Sequence, residues 1–136
     1  MTPEIGKSIH RTAFVCAGLG ALLSPIPLVD ELLLFPIYGG LAARIGNHHG
    51  LALSAVPWKP VLRTALNGLL ARAGLNLAVS FIPGVALVAN AASAAFLTEV
   101  FGRWADSACA DPAGARPVGV RELAVMLKDR VVARPV

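Results

Sequence analysis

The residues that could do chemistry are few, and their spacing limits what they can do. Asp30 and Glu31 are adjacent acids in an otherwise apolar region. Such a pair could act as general acid and base or line a cation path. Acids at a helix start also serve as cap and dipole partners, because the unsatisfied N–H groups there favour negative charge. His48 and His49 could offer two imidazoles to a metal, but no cysteine or carboxylate stands near in sequence to complete a ligand set. Cys16 and Cys109 fit no metal or redox spacing, and Cys16 lies in an apolar run that suits a small buried thiol. Arg72 falls about two-thirds along a predicted helix, and Asn67, Asn76 and Asn90 are suited to hydrogen bonds between helices. No serine or cysteine has a recognisable base and oxyanion partner. The expectation is a protein without catalysis, cofactor or metal, with Asp30, Glu31, Arg72 and Asn76 as its candidate functional polar residues.

The elements that must position these residues are apolar and repeated. Residues 17–27 read AGLGALLSPIP and residues 73–83 read AGLNLAVSFIP, an offset of 56 that also brings Val29 onto Val85 and Gly46 onto Gly102. In each copy an apolar stretch runs into a proline break and a second apolar stretch leaves it. Proline removes a backbone donor and disfavours helix at the residue before it, so Pro25, Pro27, Pro83 and the adjoining Gly84 are candidate structural breaks. The spacing predicts helices over about 6–24, 30–47, 60–81 and 85–106, joined across a proline-bearing connector at 48–60. Beyond a loop-like stretch at 107–118, Val120, Leu123, Ala124, Leu127 and Val131 recur at helical spacing opposite charged residues. No stretch alternates with period two, so strands are not expected. The predicted fold is all-α: two proline-broken helical hairpins in tandem pseudo-repeat (about 17–46 and 73–102) within residues 1–106, a linker at 107–118, and an amphipathic helix in 119–136.

Composition points to an environment. The chain has 136 residues, 56% of them hydrophobic and 15% charged, against about 25% charged in ordinary globular domains. The twelve basic and eight acidic residues form no dense stripe interleaved with aromatics, which argues against nucleic acid. The uncharged run Ala73–Thr98 is 26 residues long, where about 20 cross a bilayer. Basic residues flank both hairpins and avoid the proline tips, and Trp58 and Trp104 stand near basic residues as candidate interface anchors. The expectation is a protein of the bacterial inner membrane with cytoplasmic termini, a lipid bilayer as partner and self-association into a homo-oligomer. Three functions stay open: an adaptor or anchor for a cytoplasmic partner, a small oligomeric channel lined by Asp30 and Glu31, and a water-soluble helical scaffold whose apolar surface is buried between chains.

Residues 24–54, SPIPLVDELLLFPIYGGLAARIGNHHGLALS, carry a Pro-x-Pro (Pro25, Pro27), Asp30, a Leu-rich helix with Pro36-Ile37, and an exit through Gly50, Leu51, Leu53 and Ser54. A second element reads Ile82-Pro83-Gly84, then Thr98, Gly102 and Arg103. On these residues the chain resembles the hydrophobic helical domain-of-unknown-function family associated with bacterial small GTPases. The resemblance implies membrane association and a GTPase partner. The chain has no Gly-x-x-x-x-Gly-Lys-Ser/Thr of its own to cradle phosphates.

Overall fold

The computed structural model describes the backbone of residues 2–22, 29–79 and 85–131 and the side chains of 2–19, 32–75 and 88–128. Within these, every regular element is helical: α1 (Pro3–Leu22), α2 (Val29–His48), α3 (Trp58–Val79), α4 (Val85–Ala110) and α5 (Val120–Val131), with short 3-10 turns at Leu53–Ala55 and Pro112–Gly114. The all-α expectation holds.

Local chemistry sets the ends. α1 begins three residues earlier than the apolar pattern predicts, because Pro3 suits the first helical position and the Thr2 hydroxyl accepts the Ile5 N–H at 3.4 Å. α2 ends where Gly50 adopts a φ of +75°, with the Gly50 N–H bonded to the Asn47 carbonyl and the Leu51 N–H to the Gly46 carbonyl. That pair of bonds closes the helix C-terminus through a left-handed residue. Pro60 lies in the first turn of α3, where the missing N–H has no helical acceptor to lose. α4 runs four residues past its predicted end and stops before Asp111-Pro112, where the Asp111 side chain accepts the Gly114 N–H.

Interhelix contacts fix the directions. Glu4 near the start of α1 meets His48 at the end of α2, and Arg72 late in α3 meets Asn90 early in α4. Gly102 late in α4 takes Ile9, from the first half of α1, against its backbone. The four long helices therefore alternate up and down, a geometry that short connections favour. Ile5, Ile9 and Cys16 of α1, Leu34, Tyr38 and Ile45 of α2, Leu69 of α3 and Leu97 and Phe101 of α4 share one core. α5 packs mainly on α3 and adds Leu123 and Leu127 to that core.

The membrane expectation is overturned: among the described residues no helix is long and apolar enough to cross a membrane. Length and charge explain why. The breaks divide the apolar runs, and Lys7, Arg11, Arg44, Lys59, Arg63, Glu99 and Arg103 place charge on all four long helices. The uncharged part of α4, Val85–Thr98, is 14 residues; it rises only about 21 Å, against a hydrocarbon core of about 30 Å.

Candidate functional site

Polar side chains collect at two levels of the bundle. The inner level is built from α1–α4 at once. Arg72 of α3 is fully buried. Its Nε donates to Ser93 Oγ at 3.1 Å, and its Nη2 donates to the Asn90 carbonyl at 2.9 Å and to Asn90 Oδ1 at 2.5 Å. Ser93 in turn donates to the Asn90 carbonyl at 3.1 Å. Asn90 and Ser93 sit one turn apart on α4, so a single guanidinium spans both. Hydrogen bonds to a charged group are each worth about 1.5–3 kcal/mol, and a buried charge without them would be strongly destabilising.

Tyr38 of α2 and Thr98 of α4 extend this polar seam. Thr98 donates to the Ala94 carbonyl at 2.8 Å, which leaves its oxygen to accept the Tyr38 hydroxyl at 3.0 Å. The Tyr38 ring stacks on Phe101, with centroids 4.7 Å apart. Cys16 of α1 hydrogen-bonds Thr98 and lies within electrostatic reach of Arg72. Burial pushes the Cys16 thiol up, opposed by the Thr98 hydrogen bond and the Arg72 charge. Burial also raises Cys109, and the nearby Asp106 carboxylate adds to the rise. Both cysteines are free, buried thiols. With Arg72, Tyr38 and Cys16 at no solvent exposure, the seam is placed to hold four helices in register.

The outer level lies at the end formed by the start of α1 and the ends of α2 and α4. His10 pairs with Glu99, His48 Nδ1 lies 3.6 Å from Glu4 Oε2, and His49 Nε2 lies 2.7 Å from Asp106 Oδ1. The adjacent imidazoles thus turn to different acids on different helices. Among the described residues no group of three or more His, Cys, Asp or Glu could hold a metal ion. The three pairs tie α1 to α4, α2 to α1 and α2 to α4.

The remaining predicted residues divide sharply. Pro25, Pro27, Pro83 and Gly84 lie outside the described residues, as do the side chains of Asp30, Glu31 and Asn76. Trp58 and Trp104, the expected interface anchors, are half-buried. The Trp58 indole donates to the Leu53 carbonyl at 2.7 Å, and the Trp104 indole donates to the Arg116 carbonyl at 3.0 Å. An indole has one donor, and here each is spent on a turn of its own chain. The sequence pattern did not single out Tyr38 or Thr64, and Thr98 entered only through the resemblance. Their signal is weak because a hydroxyl in an apolar helix reads the same whether it faces a partner or its own backbone.

What the outside of the bundle offers is apolar. Phe14, Leu32, Leu70 and Val88 are 82%, 74%, 54% and 68% exposed. Leu32 and Val88 lie in the first turns of α2 and α4, Phe14 and Leu70 near the middle of α1 and α3, and Leu53, between α2 and α3, is 66% exposed. No family model matches the chain, and neither a curated protein nor a solved structure is similar to it.

Proposed function

We propose that this chain is a non-catalytic helical scaffold that assembles with copies of itself through apolar side chains exposed on its long helices. The exposure of Phe14, Leu32, Leu70 and Val88, large apolar side chains on all four long helices, carries the proposal. Extended exposed apolar surface on a small protein marks a face that something covers. A self-complementary apolar patch is the commonest basis of symmetric association.

The tandem repeat supports the same reading. The offset of 56 carries Val29 to Val85, the first residues of α2 and α4. It carries Phe14 to Leu70 and Leu32 to Val88, all exposed, and Gly46 to Gly102, both buried. The channel alternative required helices that cross a bilayer and is set aside with that expectation. For the charged end, the resemblance at residues 24–54 nominates a small GTPase as the first partner to try.

Light scattering coupled to size-exclusion chromatography tests the assembly. The unmodified protein should elute as a multimer, and the double variant Leu32→Glu, Val88→Glu as a folded monomer. A monomeric unmodified protein at about 100 μM, well above the dissociation constant of an ordinary specific interface, would refute self-assembly.

A further inference from the structure

α5 occupies a seat on α3 whose chemistry is explicit. Val118, just before α5, is held by two side chains: its N–H donates to Thr64 Oγ1 at 3.1 Å, and its carbonyl accepts from Asn67 Nδ2 at 2.9 Å. Ala71, one turn further along the same face, is buried. Leu123 and Leu127 of α5 are buried in the same core as Ala71. The seat therefore combines a hydroxyl acceptor, a side-chain donor and an apolar floor at positions i, i+3 and i+7.

The offset of 56 maps that seat onto Ser8, Arg11 and Val15 of α1. The chemistry carries over: a hydroxyl, a longer and charged donor, and an apolar floor. The covering does not. Val15 is 49% exposed and Arg11 is exposed, where their counterparts Ala71 and Asn67 are buried and half-buried. α5 packs on α3 and α4, and the first hairpin keeps its corresponding face open.

We infer that the Ser8–Arg11–Val15 face of α1 binds an acidic amphipathic helix from another protein, entered through an extended segment clasped by Ser8 and Arg11. This rests on the tandem-repeat reading above, but not on self-assembly. Charge selects the occupant. Lys7 and Arg11 are the exposed cations of this face, and Glu4, one turn before Ser8 on the same stripe, is turned to His48 at 3.6 Å. The α5 of a second copy carries Arg121, Lys128 and Arg130 against Glu122 and Asp129, so it would bring like charge to them. A helix with two apolar residues at i and i+4, as in Leu123 and Leu127, and acids along its flanks matches both floor and rim.

The test uses the full-length protein and two labelled synthetic peptides, followed by fluorescence anisotropy. One peptide has the sequence of residues 114–131. The other carries Arg121→Glu, Lys128→Glu and Arg130→Glu in that sequence. The acidic peptide should bind at least about tenfold more tightly than the unmodified one, the scale of one or two screened charge pairs. Arg11→Glu should remove that preference, Val15→Glu should abolish binding, and Arg103→Glu on α4 should change neither. Absence of binding by the acidic peptide, or binding indifferent to Arg11→Glu, would overturn the inference. Loss of binding on Asn67→Ala instead would place the peptide in the seat of α5 and would also overturn it. Oligomeric state, read by light scattering on the same samples, keeps failure of this seat distinct from failure of self-assembly.

Discussion

Gly102 of α4 takes the Ile9 side chain of α1 directly against its backbone. A Cβ there would lie 2.6 Å from Ile9 Cγ1 and 2.9 Å from both Ile9 Cδ1 and Cγ2. Isoleucine is stiff about χ1, so it cannot swing clear without moving its helix. Gly68 faces Leu97 Cδ1 at 2.8 Å, but there the neighbour is the far end of a more flexible side chain. Gly102→Ala should therefore lower stability by about 1–3 kcal/mol through overpacking. Gly68→Ala should cost distinctly less, since the Leu97 side chain can move aside more easily than Ile9; the helix-propensity gain of alanine over glycine, about 1 kcal/mol, is common to both sites. Urea denaturation of the two variants checks the order, and equal costs would mean that the α1–α4 contact can relax. Gly102 stood out in the sequence through its repeat partner Gly46. What it touches did not, because Ile9 lies far away along the chain.

At the scale of the element, α5 shows how a legible helix can have an illegible position. Its amphipathic spacing is local and readable from Val120 to Val131. Its docking depends on Thr64, Asn67 and Trp104, which clip the preceding segment at Val118 and Arg116. Leu123→Ala combined with Asn67→Ala should release α5, because a buried Leu→Ala change alone costs about 2–5 kcal/mol. Hydrogen exchange should then show residues 120–131 unprotected while α1–α4 keep their protection. Unchanged protection in α5 would contradict the assigned anchors. The half-buried tryptophans belong to the same lesson. Their placement beside basic residues suggested a lipid interface, yet an indole N–H bonds whichever carbonyl the fold brings to it.

Across the whole molecule, histidine–carboxylate pairs tie the helices together while large apolar side chains, Phe14, Leu32, Leu70 and Val88 among them, stay exposed. If that apolar surface is covered by other copies, association stabilises the native state by mass action. The melting temperature should rise with protein concentration for the unmodified chain and stay constant for Leu32→Glu, Val88→Glu. A concentration-independent melting temperature for both would argue against assembly of the native state.

The sequence by itself determined what is local: that the chain is helical and that an amphipathic helix runs from about Val120. Propensity, capping and periodicity act over a few residues, so they can be read along the chain. Only the tertiary structure decided that Arg72 is buried against Asn90 and Ser93, that Tyr38 meets Thr98 across 60 positions, and that α5 lies on α3. It also decided how the apolar excess is used, divided among helices too short or too charged to cross a membrane. Each of these depends on which distant faces come together, and that is set by packing over the whole bundle.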